Sequence, residues 1–184
     1  RKECCREVDY ADFVAANYWW GDGDYVTRTP AEHSLSMYSP NNQGSHPATL
    51  WRNPLQGRDY AVLGTLDVSS VDCGGGSLIF TNSTYQGDLG SKRPITPYTN
   101  IGVFLRNGYG WVEGIGRVDG IFGPSNELRI EVSGGSADIG VNGTALGTVS
   151  LEGEEYIGIL GHEAVVTVSN LRICTGAKEE CRTD

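Results

Sequence analysis

The sequence contains no long apolar run and few basic residues. No stretch approaches the roughly 18 consecutive apolar residues that mark a membrane-spanning helix, so we expect no membrane span. The 14 Lys and Arg residues against 23 Asp and Glu residues give a formal net charge of −9. A chain without a basic stripe cannot neutralise phosphates efficiently, which argues against nucleic acid and against an anionic membrane surface as partners.

Familiar signatures of catalysis and of cofactor binding are also missing. The sequence has no Gly-x-Ser-x-Gly, no Cys-x-x-Cys and no Gly-Lys-Ser/Thr after the glycine run 74–76. Cys73 is the one cysteine far from both termini, and it is either a reactive thiol or a small buried hydrophobe. A reactive thiol needs a base, and no motif links His33, His46 or His162 to it. We therefore expect no cofactor, with the exception of a candidate calcium ion at the turn that contains Asp22 and Asp24.

The clearest positive pattern is an alternation of apolar and polar residues between positions 126 and 173. It covers 128–133 and 137–142, as expected for half-buried strands. Asn142-Gly143 is a strong hairpin signal, because both turn positions need a positive φ. Further strand-like runs end at Leu151 or cover 156–160 and 165–173. Short strands separated by frequent turns predict an antiparallel β-sandwich or barrel.

The remainder of the chain continues this organisation. Strands are predicted at 34–38, 48–52, 59–68, 77–82, 101–106 and 109–118, with a short helical turn within 8–16. Residues 72–76 are interpreted as a flexible turn, and 39–47 and 83–100 as polar loops. We expect a single domain over residues 1–184, with eleven or twelve strands, no long helix and cysteine-bearing tails at 1–9 and 175–184.

The same C-terminal stretch resembles a known family. The strand ending in Asn142-Gly143, the Gly-Ile-Leu-Gly run at 158–161 and the closing Val-Ser-Asn-Leu-Arg-Ile at 168–173 are similar to the C-terminal half of concanavalin A-like jelly rolls. Laminin-G-like and 3-keto-disaccharide-hydrolase-like domains resemble it most. Asp12-Phe13 followed by Trp19-Trp20 also matches the start of laminin-G-like sandwiches. The resemblance implies an all-β sandwich, the concanavalin A-like jelly roll, with little or no helix, and it implies glycan binding.

Four cysteines lie near the chain ends: Cys4, Cys5, Cys174 and Cys181. In jelly rolls of this type the first and last strands are neighbours, which implies two disulfides that tie the Cys4-Cys5 pair to Cys174 and Cys181. The alternative is four free, buried thiols. Oxidised bridges would indicate a secreted or cell-surface protein.

Two further features bear on the compartment. The sequons at Asn82 and Asn142 are compatible with a secreted glycoprotein, although such tripeptides often arise by chance. The sequence begins at Arg1 rather than at Met, which we interpret as a processed chain or an excised piece of a longer one.

Asp22 and Asp24 stand two residues apart in a glycine turn and are candidate calcium ligands. Laminin-G-like domains often hold calcium at one rim of the sandwich, so the resemblance favours this hypothesis. Calcium needs six or more oxygen ligands and the sequence shows two, so the alternative is an ordinary acidic turn.

Glu113 and Asp119 are the nearest candidates for a pair of glycosidase carboxylates. Glucanases on this fold usually carry Glu-x-Asp-x-Glu on one strand, a run this sequence lacks. The two carboxylates would share a face only if the strand continued past Gly116. The alternative is a pair of solvated edge residues.

The aromatic residues offer a possible sugar-binding surface. Trp111 and Tyr109 share a face of one strand by parity, while Tyr85 and Tyr98 flank the long loop. Sugars stack their apolar C–H faces on such rings, and the Asn, Gln, Ser and Thr residues of the loops suit neutral hydroxylated ligands. The alternative is that these rings belong to the core.

Two classes of function remain open. The favoured hypothesis is a secreted, non-catalytic sandwich that binds a glycan, specifically a neutral polysaccharide. The alternative is a structural subunit of an extracellular filament or surface layer, which binds copies of itself, as the odd number of cysteines allows. A glycan-active hydrolase is the third hypothesis.

Overall fold

The computed structural model describes residues 4–17, 26–40, 46–82, 95, 97–104 and 108–176, and only the backbone of residues 70–73. A short 3₁₀ helix covers Tyr10–Asp12. No helix within the described residues is long and apolar enough to cross a membrane. The described strands are β1 (Cys4–Glu7), β2 (Val14–Asn17), β3 (Thr27–Pro30), β4 (Ser34–Ser39), β5 (Pro47–Arg52), β6 (Tyr60–Thr81), β7 (Tyr98–Phe104), β8 (Tyr109–Val112), β9 (Gly116–Val118), β10 (Ser125–Ser133), β11 (Ser136–Val141), β12 (Thr144–Ser150) and β13 (Tyr156–Thr175).

Two long strands, β6 and β13, form the centre of the fold. They pair antiparallel from Tyr156 opposite Thr81 to Cys174 opposite Ala61. At one end they are flanked by β10, β11 and β12 on one side and by β4, β3 and β1 on the other, and we call this the first sheet. At the other end they are flanked by β7, β8 and β9 and by β5 and β2, which we call the second sheet. Every pairing is antiparallel, and the curled sheet confirms the predicted all-β sandwich.

The interpretation of residues 72–76 as a flexible turn was wrong, because β6 runs through them without interruption. At this point the two long strands pass from the first sheet into the second, and β13 shifts register between His162 and Ala164. A Cβ atom on Gly74 would collide with the carbonyl oxygen of His162, and one on Gly76 with the side chain of Val166. The glycines therefore serve close approach of two strands at the corner, rather than a loop.

At two other places, too, strand replaces what was predicted as turn or tail. The two strands predicted at 156–160 and 165–173 are one strand, β13, which bends at Glu163, where φ is 50°. Residues 4–7, expected in a tail, form β1 along the C-terminal end of β13. The hairpin at Asn142-Gly143 is confirmed, with φ of 52° and 80°, and it joins β11 to β12.

The core lies between the two sheets and follows the period-two pattern. β10 alternates exposed and buried residues along its whole length. The inward side chains of the two sheets form one large apolar cluster that includes Leu66, Phe80, Ile101 and Ile130. A second, smaller apolar cluster covers part of the outer face of the second sheet, with Leu50, Ile79, Ile95, Tyr156 and Leu160 among its members.

A disulfide between Cys5 and Cys174 joins the first strand to the last. The two residues are direct register partners on β1 and β13. Cys4 is disulfide-bonded as well, so the alternative of free thiols was wrong for these three cysteines. Cys181 lies outside the described residues, so the second predicted disulfide, which would join Cys181 to Cys4, stays a prediction. Cross-linking residues 169 positions apart is worth about 5 kcal/mol in the chain-entropy description.

A polar network fixes the chain between β1 and β2. The hydroxyl of Tyr10 accepts a hydrogen bond from the backbone N–H of Leu171 at 2.9 Å and donates one to Glu7 at 3.4 Å. Burial raises the pKa of Tyr10 to about 12, and the neighbouring Glu7 acts in the same direction. Glu7 also contacts Nδ1 of His33 at 2.6 Å, and this hydrogen bond raises the pKa of His33.

Substitution of Gly74 by Ala tests the corner. We expect the free energy of unfolding to fall by about 1–3 kcal/mol, because the new methyl group meets backbone atoms that cannot move aside. Gly123→Ala is the matched control, because its Cβ meets nothing within 4 Å, and we expect a change within about 0.5 kcal/mol. Urea unfolding measures both variants. Equal effects at the two positions would show that the corner is not packed as described.

The pair formed by Glu7 and His33 should give a pH-dependent contribution to stability. The raised folded-state pKa of His33 means that the contribution is complete below the ordinary value of about 6.5 and is lost as the pH rises through the raised pKa. Glu7→Gln should therefore destabilise the protein more at pH values near 5.5 than at values near 9. In a His33→Asn background that difference between the two pH values should vanish. A loss of stability independent of pH in the parent background would contradict this account.

Candidate functional site

Three aromatic rings lie side by side on the outer face of the second sheet. Phe104 of β7 is opposite Tyr109 of β8, and Trp111 is opposite Gly102. Their chain neighbours Val103 and Val112 point into the core, so the three rings face outward by alternation. We call Phe104, Tyr109 and Trp111 the aromatic platform. Phe104 is 41% exposed and Trp111 37%, and the rings of Phe104 and Tyr109 lie 5.9 Å apart.

Three charged residues form the rim of the platform. Arg117 of β9 is the register partner of Trp111, and its guanidinium lies 4.4 Å from the centre of the Tyr109 ring. The Nε–H of Arg117 donates to Oδ1 of Asp119 at 2.8 Å. The indole N–H of Trp111 donates to Oε2 of Glu113 at 3.4 Å. Because these groups are exposed, the bonds contribute little to stability, but they set the orientation of the side chains.

The local sequence explains this arrangement. The strand predicted over 109–118 is interrupted, because residues 113–115 form a turn in which the N–H of Ile115 bonds to the carbonyl of Val112 at 3.0 Å. Gly114 and Gly116 adopt φ of 88° and 99°, which only glycine adopts without strain. The turn brings Arg117 back opposite Trp111. It also means that Glu113 and Asp119 do not follow each other along one continuous strand.

Of the predicted ligand-binding residues, Trp111 and Tyr109 are brought together. Tyr98 occupies the same face of β7, but it is six residues before Phe104, or about 20 Å along the strand. It packs, half-buried, against the second apolar cluster. Tyr85 lies outside the described residues. A role for Tyr98 or Tyr85 in binding stays a prediction.

The remaining candidate sites are untested. Asp22 and Asp24, proposed as calcium ligands, lie outside the described residues. Across the part of the chain that the structure describes, no group of three or more His, Cys, Asp or Glu side chains is placed to hold a metal ion. The side chain of Cys73 is not described.

The two sequon asparagines are both engaged in the folded chain. Oδ1 of Asn82 accepts from the backbone N–H groups of Glu154 and Glu155 at 3.1 and 3.0 Å. Nδ2 of Asn142 donates to Ile121 O at 2.8 Å and to Asn126 at 3.1 Å. A glycan on Asn142 would replace one of these two bonds, because a glycosylated amide keeps a single N–H. Modification at either position stays a prediction.

Two arrangements of side chains, one in the platform and one outside it, could not be predicted from the motifs. Phe104 and Arg117 are brought to Trp111 by the register between neighbouring strands. Counting residues outward and inward across the two hairpins was the signal that could have placed them on the same face. The rings of His46 and His162 lie 4.7 Å apart at the other side of the second sheet. Burial lowers the pKa of His46, and the nearby His162 lowers it further. The contact between His46 and His162 could not be predicted, because the two residues are far apart in the sequence.

No protein-family model and no curated protein matches the chain. Solved structures do match. A sialidase aligns with a TM-score of 0.61 and 9% identity over 97% of this chain, which corresponds to 19% of the sialidase chain. The carbohydrate-binding module CBM66 from Bacillus subtilis aligns with a TM-score of 0.56 and 10% identity, over 80% of this chain and 91% of the module. The carbohydrate recognition domain of Emp47p aligns with a TM-score of 0.57 and 13% identity, over 94% of this chain and 91% of that domain.

These identities are too low to transfer an activity, but the shared architecture covers most of the chain. The antiparallel all-β architecture agrees with the resemblance found in the C-terminal sequence. The chain spans less than a fifth of the sialidase, so only the matched part is comparable. The protein therefore has the jelly-roll β-sandwich fold of concanavalin A-like lectins and glucanases.

Proposed function

We propose that this protein binds glycans through the aromatic platform. The observation that carries the proposal is the adjacent exposure of Trp111 and Phe104 on a sheet face. Further along that face, Leu50 and Ile79 are buried as members of the second apolar cluster. Contiguous exposed aromatic surface is uncommon on a soluble protein without a binding role.

The chemistry of the platform suits a sugar ring. The apolar C–H face of a pyranose stacks on an indole or phenyl ring, while polar groups at the edge bond to its hydroxyls. Here Glu113 offers acceptors and Arg117 offers donors at the edge of Trp111. The ligand in this proposal is a neutral polysaccharide, bound with a dissociation constant in the range of about micromolar to millimolar.

The fold is consistent with this role. Two of the structurally similar proteins are described as a carbohydrate-binding module and a carbohydrate recognition domain. The third is a sialidase, which keeps a hydrolase open as an alternative. Glu113 and Asp119 are both solvent-exposed and each already accepts a hydrogen bond at the rim. That arrangement favours a non-catalytic role for the two carboxylates.

The compartment in this proposal is extracellular. The Cys5–Cys174 disulfide indicates an oxidising environment. Secretion or display at the cell surface would place the platform where polysaccharides are abundant.

Self-assembly is the second candidate function. The platform borders β9, a three-residue strand at the end of the second sheet. Trp and Tyr are also enriched where protein subunits meet. The same surface would then contact a second copy of the chain.

Substitution of Trp111 by Ala separates these functions. We expect about tenfold weaker binding to the glycans that bind the parent protein, because a stacking contact is worth up to about 1.5 kcal/mol. Trp111→Phe should keep most of the binding. Tyr38→Ala is the matched control, because Tyr38 is 42% exposed but projects from the first sheet. Affinity electrophoresis in gels containing soluble polysaccharides measures the three variants.

Light scattering after size exclusion measures assembly in the same samples. Loss of glycan binding by Trp111→Ala with an unchanged mass supports the proposal. Loss of assembly instead supports the structural role. Unchanged binding and unchanged mass would contradict both uses of the platform.

A further inference from the structure

We infer that Glu113 and Arg117 make the platform selective for neutral sugars that carry two adjacent free hydroxyl groups. This inference rests on the proposed function and names the ligand class of the same site. Asp119 acts as a positioning residue, because it holds Arg117 rather than contacting the ligand. Arg117 thus supplies hydrogen-bond donors, Glu113 supplies an acceptor, and Asp119 holds Arg117 in place.

Arg117 is oriented but not saturated. Its Nε–H is bound to Asp119, and one face of its guanidinium lies over Tyr109. The side chain is 57% exposed. Within the described residues, the terminal amino groups form no hydrogen bond with the protein. A guanidinium that is fixed on one edge loses little further freedom when its other edge donates to a ligand oxygen.

Glu113 is placed at the neighbouring ring of the platform, that of Trp111. Oε2 accepts the indole N–H of Trp111, which fixes the carboxylate beside the stacking surface. In the described part of the chain, Oε1 has no partner. An ionised carboxylate accepts but cannot donate, so its natural partner on a sugar is a hydroxyl group acting as donor.

The balance of charge excludes an acidic ligand. Two carboxylates stand beside one guanidinium, so the rim is negative in sum, and the whole chain carries a formal net charge of −9. A uronate or a sulfate ester would meet like charge at close range. A neutral hydroxyl group can bind either charged residue, because it can accept a hydrogen bond from Arg117 or donate one to Glu113. Hydrogen bonds to ionised partners are also the stronger kind.

Two adjacent hydroxyl groups complement this pair of residues. One accepts from the guanidinium and the other donates to the carboxylate, while the ring that carries both stacks on Trp111. A sugar whose neighbouring hydroxyls are blocked by glycosidic bonds can satisfy only one of the two charged groups. The unsatisfied group would then lose water without a replacement, and affinity would fall.

Polysaccharides that differ in their free hydroxyls test the inference. Dextran, mannan and xylan contain adjacent free hydroxyl pairs, whereas the internal residues of a linear β-1,3-glucan do not. We expect binding to at least one of the first three and about tenfold weaker binding to the β-1,3-glucan. Periodate cleaves adjacent diols, so periodate oxidation followed by borohydride reduction should abolish binding to the polymer that is bound best.

Variants of the rim assign the effect to residues. Glu113→Gln and Arg117→Gln should each weaken binding to that polymer about tenfold, and Arg117→Lys should recover only part of the loss. Asp119→Asn should weaken binding less, and Asp119→Glu should restore it. Arg129→Gln is the matched control: Arg129 forms the same kind of exposed pair with Glu131 at 2.8 Å, but on the first sheet. Urea unfolding verifies that all variants fold.

Each outcome decides between the two claims. Binding that survives periodate, or equal binding to the β-1,3-glucan, overturns the inference. If Trp111→Ala still abolishes that binding, the proposed function stands without the inference. Rim variants that bind like the parent protein also overturn it. Failure of every polysaccharide to bind overturns both the inference and the proposed function.

Discussion

The structure depends on the pairing of β6 with β13. These two strands are hydrogen-bonded along almost their whole lengths, and every other described strand is joined to them directly or through one or two intervening strands. Each sheet of the sandwich is therefore built on one half of the same ladder. The separation of the two sheets is set at the corner, where Gly74 and Gly76 allow contacts that a side chain would prevent. Such dependence on long-range pairing also makes the fold sensitive to any slip in register.

The rest of the fold fixes the ends of this ladder. The Cys5–Cys174 disulfide secures β1 against the end of β13 in the first sheet. The second sheet extends in the other direction through β7, β8 and β9. The platform stands on this extension, where successive strands are short and joined by tight turns. Because its residues are held on paired strands, the platform is formed in advance, which would suit the weak glycan recognition that we propose.

Much of the fold could be predicted from local pattern. The alternation over 128–133 and 137–142 predicted β10 and β11 correctly, and the Asn142-Gly143 turn predicted the hairpin that joins β11 to β12, because all their determinants are local. The glycine run at 74–76 was misread, because a glycine required for close approach looks like a glycine required for a turn. Only the partner strand distinguishes the two, and that partner lies far away in sequence.

Only part of the candidate site could be predicted, because some of its contacts depend on pairing between strands. Parity placed Trp111 and Tyr109 on one face, and the structure agrees. Phe104 and Arg117 needed the register of two hairpins, which residue spacing alone does not fix. The charged rim depends on the break at 113–115, where a continuous strand was expected. Gly114 and Gly116 could have indicated the turn. The alternating residues on both sides of it favoured a continuous strand instead.

The most direct test of the account is to map the contact surface of a bound oligosaccharide by the shifts of backbone amide signals in nuclear magnetic resonance spectra. The account predicts that the largest shifts occur at Phe104, at residues 109–113 and at Arg117. The outer face of the first sheet, around Ser36 and Thr167, should remain unchanged. Shifts concentrated on that face, with the platform unaffected, would contradict the assignment of the binding surface.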